Sequence, residues 1–121
     1  MPKTDNKLTG KIGEDFAAAY LNSLNLAILE RNFSSKFGEI DLIVQDGPTL
    51  VFVEVKTKVG NQFGSPEEMI NKGKIAKVKR MAIFYMLDQG IKEPACRIDA
   101  VCIVLNSDHS LKSLHHYPSI T

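Results

Sequence analysis

The sequence has no run of 18 apolar residues, so no membrane-spanning helix is expected and no membrane partner. Its start, "MPKTDNKLTGKIGEDF", is polar and carries acids, which is not the apolar core of a signal peptide. Cysteine is scarce, with only Cys96 and Cys102. On one extended strand, their Cα atoms would stand roughly 20 Å apart, against a limit of about 7 Å for a disulfide. Two free thiols and a cytoplasmic location are the expectation. With His109, His115 and His116 downstream, these cysteines still lack the spacings that zinc sites use. An excess of one charge is also missing: 15 basic residues face 14 acidic ones, for a net charge of +1. Any polyanion site must therefore be a local patch. Repeats, low-complexity segments and linkers are absent.

What is present suits one domain of 121 residues, 44% of them apolar. Its core is expected over about residues 10–105, with 106–121 as a tail or short edge strand. "GKIGEDFAAAYLNSLN" reads as a helix whose apolar stripe would be Ile12, Phe16, Ala19 and Tyr20. "LAILERNF" reads as a strand. "EIDLIV" and "LVFVEVK", split by "QDGPT", form a hairpin signal. "SPEE" is a helix start, with Ser65 as cap, Pro66 in the first turn and Glu68 closing a capping box. That helix should run to Gln89, before Gly90, with Gly73 loosening its first turns. "RIDAVCIVL" is a further strand and "SLKSLHHYP" a candidate edge strand. The order α-β-β-β-α-β, with one more strand at the end, predicts an α/β fold. Its mixed sheet is flanked by helices, and a right-handed crossover makes the strands either side of the second helix parallel.

The hairpin carries the chemistry. Strand alternation puts Val51, Val53 and Val55 on one face and Leu50, Phe52, Glu54 and Lys56 on the other. In the preceding strand Ile40, Leu42 and Val44 share a face, opposite Glu39, Asp41 and Ile43. With Gly47 and Pro48 as the central turn residues, Asp41 faces Glu54 with Cβ atoms about 5 Å apart. Like charges so placed repel unless a cation lies between them. Mg²⁺, or Mn²⁺ in its place, takes oxygen ligands at about 2.1 Å and is satisfied by one or two carboxylates and waters. Asp41, Glu54 and the backbone carbonyl of Val55 are the natural ligands, with Lys56 at the rim. That set suits phosphodiester hydrolysis. An ordinary solvated strand face with a Glu54–Lys56 salt bridge gives the same pattern. So does a protein that merely holds an ion.

The pieces taken together resemble a family. A first helix with Gly13 and Glu14, then "RNF", "GEIDLI", "VFVEVKTK", "FGSPEE" and "RIDAV", look like the YraN family of small bacterial predicted endonucleases. That family is placed in the PD-(D/E)XK, restriction-endonuclease-like superfamily and is similar to Holliday-junction resolvases. The likeness runs from Gly10 to Leu105. It implies that Asp41 and Glu54 bind metal, that Lys56 assists attack and that Glu14 helps hold the metal's water shell. Ile40 stands at the superfamily's proline, and Lys58 where an arginine is more usual, which keeps charge but loses the fork geometry. The function implied is a metal-dependent endonuclease acting on DNA, branched or single-stranded; the alternative is a nucleic-acid-binding module that does not cleave. Junction resolution needs two active sites, which fits a homodimer.

Other residues fill out the reading. Glu39 is a ligand for a second ion, an outer-shell acid or simply solvated. Lys58, Lys72, Lys74, Lys77 and Arg80 are candidate phosphate contacts, with Lys79 beside them and Lys74 at the edge of the helix's apolar stripe. A solvated helix face would carry the same lysines. Asp99 alternates with Arg97 as a structural ion pair would. "KTKVGNQFGSP" reads as a mobile loop beside the site.

Overall fold

The computed structural model describes residues 3–60, 64–92 and 95–120. The middle of the loop expected beside the site, residues 61–63, lies outside them. Helix α1 (Lys3–Ser23) precedes strands β1 (Ala27–Ser35), β2 (Gly38–Asp46) and β3 (Thr49–Val59). A single 3-10 turn (Pro66–Met69) leads to α2 (Lys72–Asp88), then β4 (Ala95–Leu105) and β5 (Leu111–Tyr117). The five strands form one sheet in chain order. All neighbours are antiparallel except β3 and β4, which α2 joins in parallel. This is the expected mixed sheet of an α/β fold, and "SLKSLHHYP" does supply the edge strand. No helix among the described residues is long and apolar enough to cross a membrane.

The hairpin has the expected register. Gly47 takes φ +55°, the left-handed conformation of a tight turn, and Asp46 pairs with Thr49. The ladder continues to Leu42 opposite Val53. One face of the sheet packs Leu42, Val44, Val51, Val53 and Val55 against Ala17 and Leu21 of α1. The other packs Ile43, Leu50 and Phe52 against Val78, Met81, Ala82 and Tyr85 of α2.

Four expectations need correction. Helix α1 starts at Lys3, a full two turns before Gly10. Its buried positions are Thr9, Gly13, Ala17 and Leu21, while Ala19 is exposed and Ile12, Phe16 and Tyr20 only half-buried. Small residues at i and i+4 let this helix lie close on the sheet, so its contact line follows size rather than hydrophobicity. Ile40 sits with Ile43 under α2, not with Leu42 and Val44. Alternation holds only along a regular ladder, and β2 leaves β3 beyond Leu42. Finally, the helix expected over Ser65 to Gln89 is two. Ser65 makes no side-chain cap and the 3-10 turn ends at Met69. The chain then restarts at Asn71, whose side chain accepts from Lys74 N–H at 2.9 Å.

The thiols are free: Cys96 is exposed and Cys102 buried, and burial pushes the Cys102 thiol up to about 12. The Arg97–Asp99 pair is present at 3.0 Å. Asp99, fully buried, also meets His116 Nε2 at 2.8 Å and accepts from Ser119 N–H at 3.0 Å.

Candidate functional site

A cleft of about 590 Å³ opens where β2 parts from β3. Thr9, Gly10 and Glu14 of α1 line one wall, and Glu39 and Asp41 of β2 another. Glu54, Val55, Lys56, Thr57 and Lys58 of β3 form its floor, closed by Met69 and by Lys74 of α2. Every residue expected in the catalytic set therefore borders one cavity.

Asp41 stands at its centre because the ladder stops there. In place of a further backbone pair, its Oδ2 accepts the N–H of Val55 at 2.8 Å. Burial, and then the charge of Glu54, push the Asp41 carboxyl up to about 7; the Val55 N–H opposes them. Glu14 reaches in from α1 and is raised chiefly by burial, against a hydrogen bond from Asn32 and the charge of Arg31. Glu14, Glu39 and Asp41 each bring a carboxylate oxygen within 4.8 Å of the others.

Glu54 is placed differently. It is 3% exposed, and its Oε1 lies 3.4 Å from both Lys56 Nζ and Lys74 Nζ. The expected Glu54–Lys56 salt bridge therefore exists, and a second lysine shares it. The position of Lys74 at the edge of the apolar stripe, beside Val78 and Met81, allows it to lean towards the sheet, and it does so. It turns inward because the helix restarts three residues earlier, at Asn71, which brings its first turn over the end of β3. The sequence signal was that asparagine cap.

The remaining basic candidates divide. Lys58 lines the cleft, whereas Lys72, Lys77 and Arg80 are exposed and do not border it. Arg80 lies instead beside Phe37, Ile83, Phe84 and Leu87. Two lining residues, Thr9 and Met69, carry no signal in the sequence. Thr9 is 7% exposed, and its buried hydroxyl has no hydrogen-bond partner among the described residues. Nothing in the spacing of a lone threonine marks it.

Five mixed strands between two helices, with converging carboxylates at the point where two strands part, define an α/β protein with an acidic cleft. The model of the "Uncharacterised protein family UPF0102" matches residues 13–103, so the chain belongs to the UPF0102 (YraN) family. A UPF0102 protein of Geotalea daltonii is 40% identical over 114 residues, covering 94% of this chain and 89% of that protein. One from Persephonella marina is 44% identical over 106 residues, 88% of this chain and 91% of its own length. One from Dictyoglomus turgidum is 36% identical over 115 residues, 95% and 98% of the two chains.

Proposed function

We propose that this protein is a divalent-metal-dependent nuclease of the PD-(D/E)XK type, hydrolysing phosphodiester bonds in DNA. The observation that carries the reading is the meeting of Glu14, Glu39, Asp41, Glu54 and Lys56 in one cleft, from one helix and two strands. The donor set fits a hard cation. Three carboxylates share a space of 4.8 Å, and burial, then the charges of Glu54 and Glu14, raise the Asp41 carboxyl further than the Val55 N–H and Lys56 lower it. The unpartnered Thr9 hydroxyl in the same wall fits a site that takes up a further polar group.

Asp41 would hold Mg²⁺ or Mn²⁺, joined by Glu54, by the Val55 carbonyl and by Glu14 directly or through water; Glu39 is placed to join them. Such an ion, when bound, polarises the phosphoryl group and lowers the pKa of a water. The chain supplies the rest. Lys56, at the floor, is positioned to orient the attacking water or to offset charge on a phosphate oxygen. Val55 N–H fixes the rotamer of Asp41. Lys58 and Lys74 place positive charge at the cleft's margin, where a phosphate backbone would pass.

A second reading, a nucleic-acid-binding module that does not cleave, draws on Glu54. Two lysines already satisfy it, as in a structural ion pair. The test is to incubate the purified protein with linear duplex, single-stranded and four-way-junction DNA, with Mn²⁺ or Mg²⁺ and with EDTA. Metal-dependent cleavage lost in Asp41→Ala and Glu54→Ala supports the nuclease. Cleavage that survives both substitutions is contamination and ends the reading. Salt-sensitive binding without cleavage selects the second. A homodimer, which would pair two clefts, is tested by light scattering with and without junction DNA.

A further inference from the structure

Beside the acidic cleft runs a second groove, of about 430 Å³, between α1 and the start of the β-sheet. Its lining is Lys7, Gly10, Lys11, Glu14, Arg31 and Asn32. Gly10 and Glu14 border both cavities, so the groove opens into the cleft. Three of its six lining residues are cationic, and Glu14 is the one acid among them. Asp15, at the rim, bonds Arg31 at 2.6 Å and lies 3.8 Å from Lys11. Lys7 lines the groove one helical turn before Lys11. Thr9, next to Gly10, lines the cleft only, and its buried hydroxyl lacks a partner among the described residues.

We propose that a nucleic-acid strand enters the cleft along this groove, its phosphates met by Lys7, Lys11 and Arg31 and, inside the cleft wall, by the Thr9 hydroxyl. The proposal rests on the nucleic-acid reading above and replaces the outer face of α2 as the main binding track. Lys7 and Lys11 are one helical turn apart, and Lys7 to Glu14 spans about 10 Å along the axis. That is the axial length of about three nucleotides of one DNA strand. A strand so laid would bring its next phosphodiester to the carboxylates. Positive charge in the groove draws the backbone in, and the acids beyond it leave room for a phosphate only where a cation is shared. The hydroxyl explains itself in the same scheme. A buried donor without a partner is unfavourable in the free protein and becomes satisfied when a phosphate oxygen arrives.

The experiment measures anisotropy of a fluorescein-labelled 20-nucleotide DNA single strand, and of its duplex, across a salt series. An Asp41→Asn background keeps the DNA intact. Lys7→Ala/Lys11→Ala should weaken binding about tenfold and make the salt dependence shallower by roughly 1.4 in log–log slope, two single-strand contacts. Lys72→Ala/Lys77→Ala/Arg80→Ala should change affinity less than twofold. Thr9→Val should weaken binding severalfold while raising the Tm of the free protein, a combination that a purely structural role would not give. The exposed lysines leave folding intact, checked by circular dichroism. Loss of affinity in the α2 variant with the groove variant unchanged overturns the proposal, as does no binding by the unsubstituted protein. Groove-dependent binding by a wild type that never cleaves leaves the proposal standing and removes the nuclease. Metal-dependent cleavage indifferent to the groove variants does the reverse.

Discussion

The Asp41 carboxylate takes the backbone N–H of Val55 at 2.8 Å, and this bond marks where β2 and β3 separate. A side chain replaces the backbone acceptor that a longer ladder would have offered. The gap made there admits Glu14 from α1 and Lys74 from α2, so one local end of pairing creates the cleft. It also leaves an acid buried beside Glu54 with little positive charge of its own.

That burial makes Asp41 a source of pH-dependent instability. Its carboxyl rises from 3.8 to about 7 in the folded chain. Between those values the unfolded chain has released a proton that the folded one keeps, so stability falls as pH rises and levels off above about 7. Asp41→Asn, which keeps an acceptor for Val55 N–H, should raise the Tm at pH 8 in EDTA and change it little at pH 4. Added Mn²⁺ should raise the wild-type Tm at pH 8 but not that of the variant. Thermal scans over pH check both. A variant that is equally or less stable at pH 8 would refute the account.

Lys74 should matter through Glu54. Lys74→Met leaves Glu54 with Lys56 alone and should cost about 1 kcal/mol, discounted because the lysine is partly exposed. Lys74→Arg should recover most of it, and Lys77→Met, one turn along the exposed face, should cost nothing measurable. Urea midpoints with unchanged m-values make the comparison. Equal effects at positions 74 and 77 would show that the ion pair contributes nothing.

Strand positions were legible in the sequence because β-branched runs and the Gly47–Pro48 turn fix both period and register. The charged residues of the cleft were legible for the same reason: Asp41, Glu54 and Lys56 are set by strand alternation, and Glu14 by the family likeness. What was not legible depends on distances between elements. Gly13, Ala17 and Leu21 form the contact line of α1 because that helix lies close, which a hydrophobicity pattern does not reveal. Ile40 changes sides because the ladder ends, and nothing in the alternation says where. The grouping of Glu39 with Glu14 rather than with Glu54 needs three elements placed at once.

Asp99 should separate stability from function. It is fully buried, meets Arg97 and His116, and accepts Ser119 N–H, but it does not line the cleft. Asp99→Ala leaves Arg97 to Asp46, 2.8 Å away, but takes the partner from His116 Nε2 and from Ser119 N–H, and should cost about 1–3 kcal/mol. Activity per folded molecule should stay within about twofold once measured at a temperature where the variant is folded. A catalytic role for "RIDAV" predicts the opposite, full stability and lost cleavage, so urea unfolding beside a cleavage assay decides between them.

Gly13 joins α1 to the cleft floor. A Cβ at this position would lie inside the Thr57 side chain, 2.8 Å from both its Cβ and Cγ2. Gly13→Ala must therefore lift α1 from β3 or displace Thr57, although alanine is the better helix former by about 1 kcal/mol. Overpacking should win, with a loss of about 1–3 kcal/mol. Glu14 is the next residue, so the same lift should draw its carboxylate away from Asp41 and weaken Mn²⁺ binding in calorimetry. Gly13→Ala/Thr57→Ala should recover part of both losses, because Oγ1 and Cγ2 go while Cβ stays. Additive losses in the double variant would mean that the two residues do not meet.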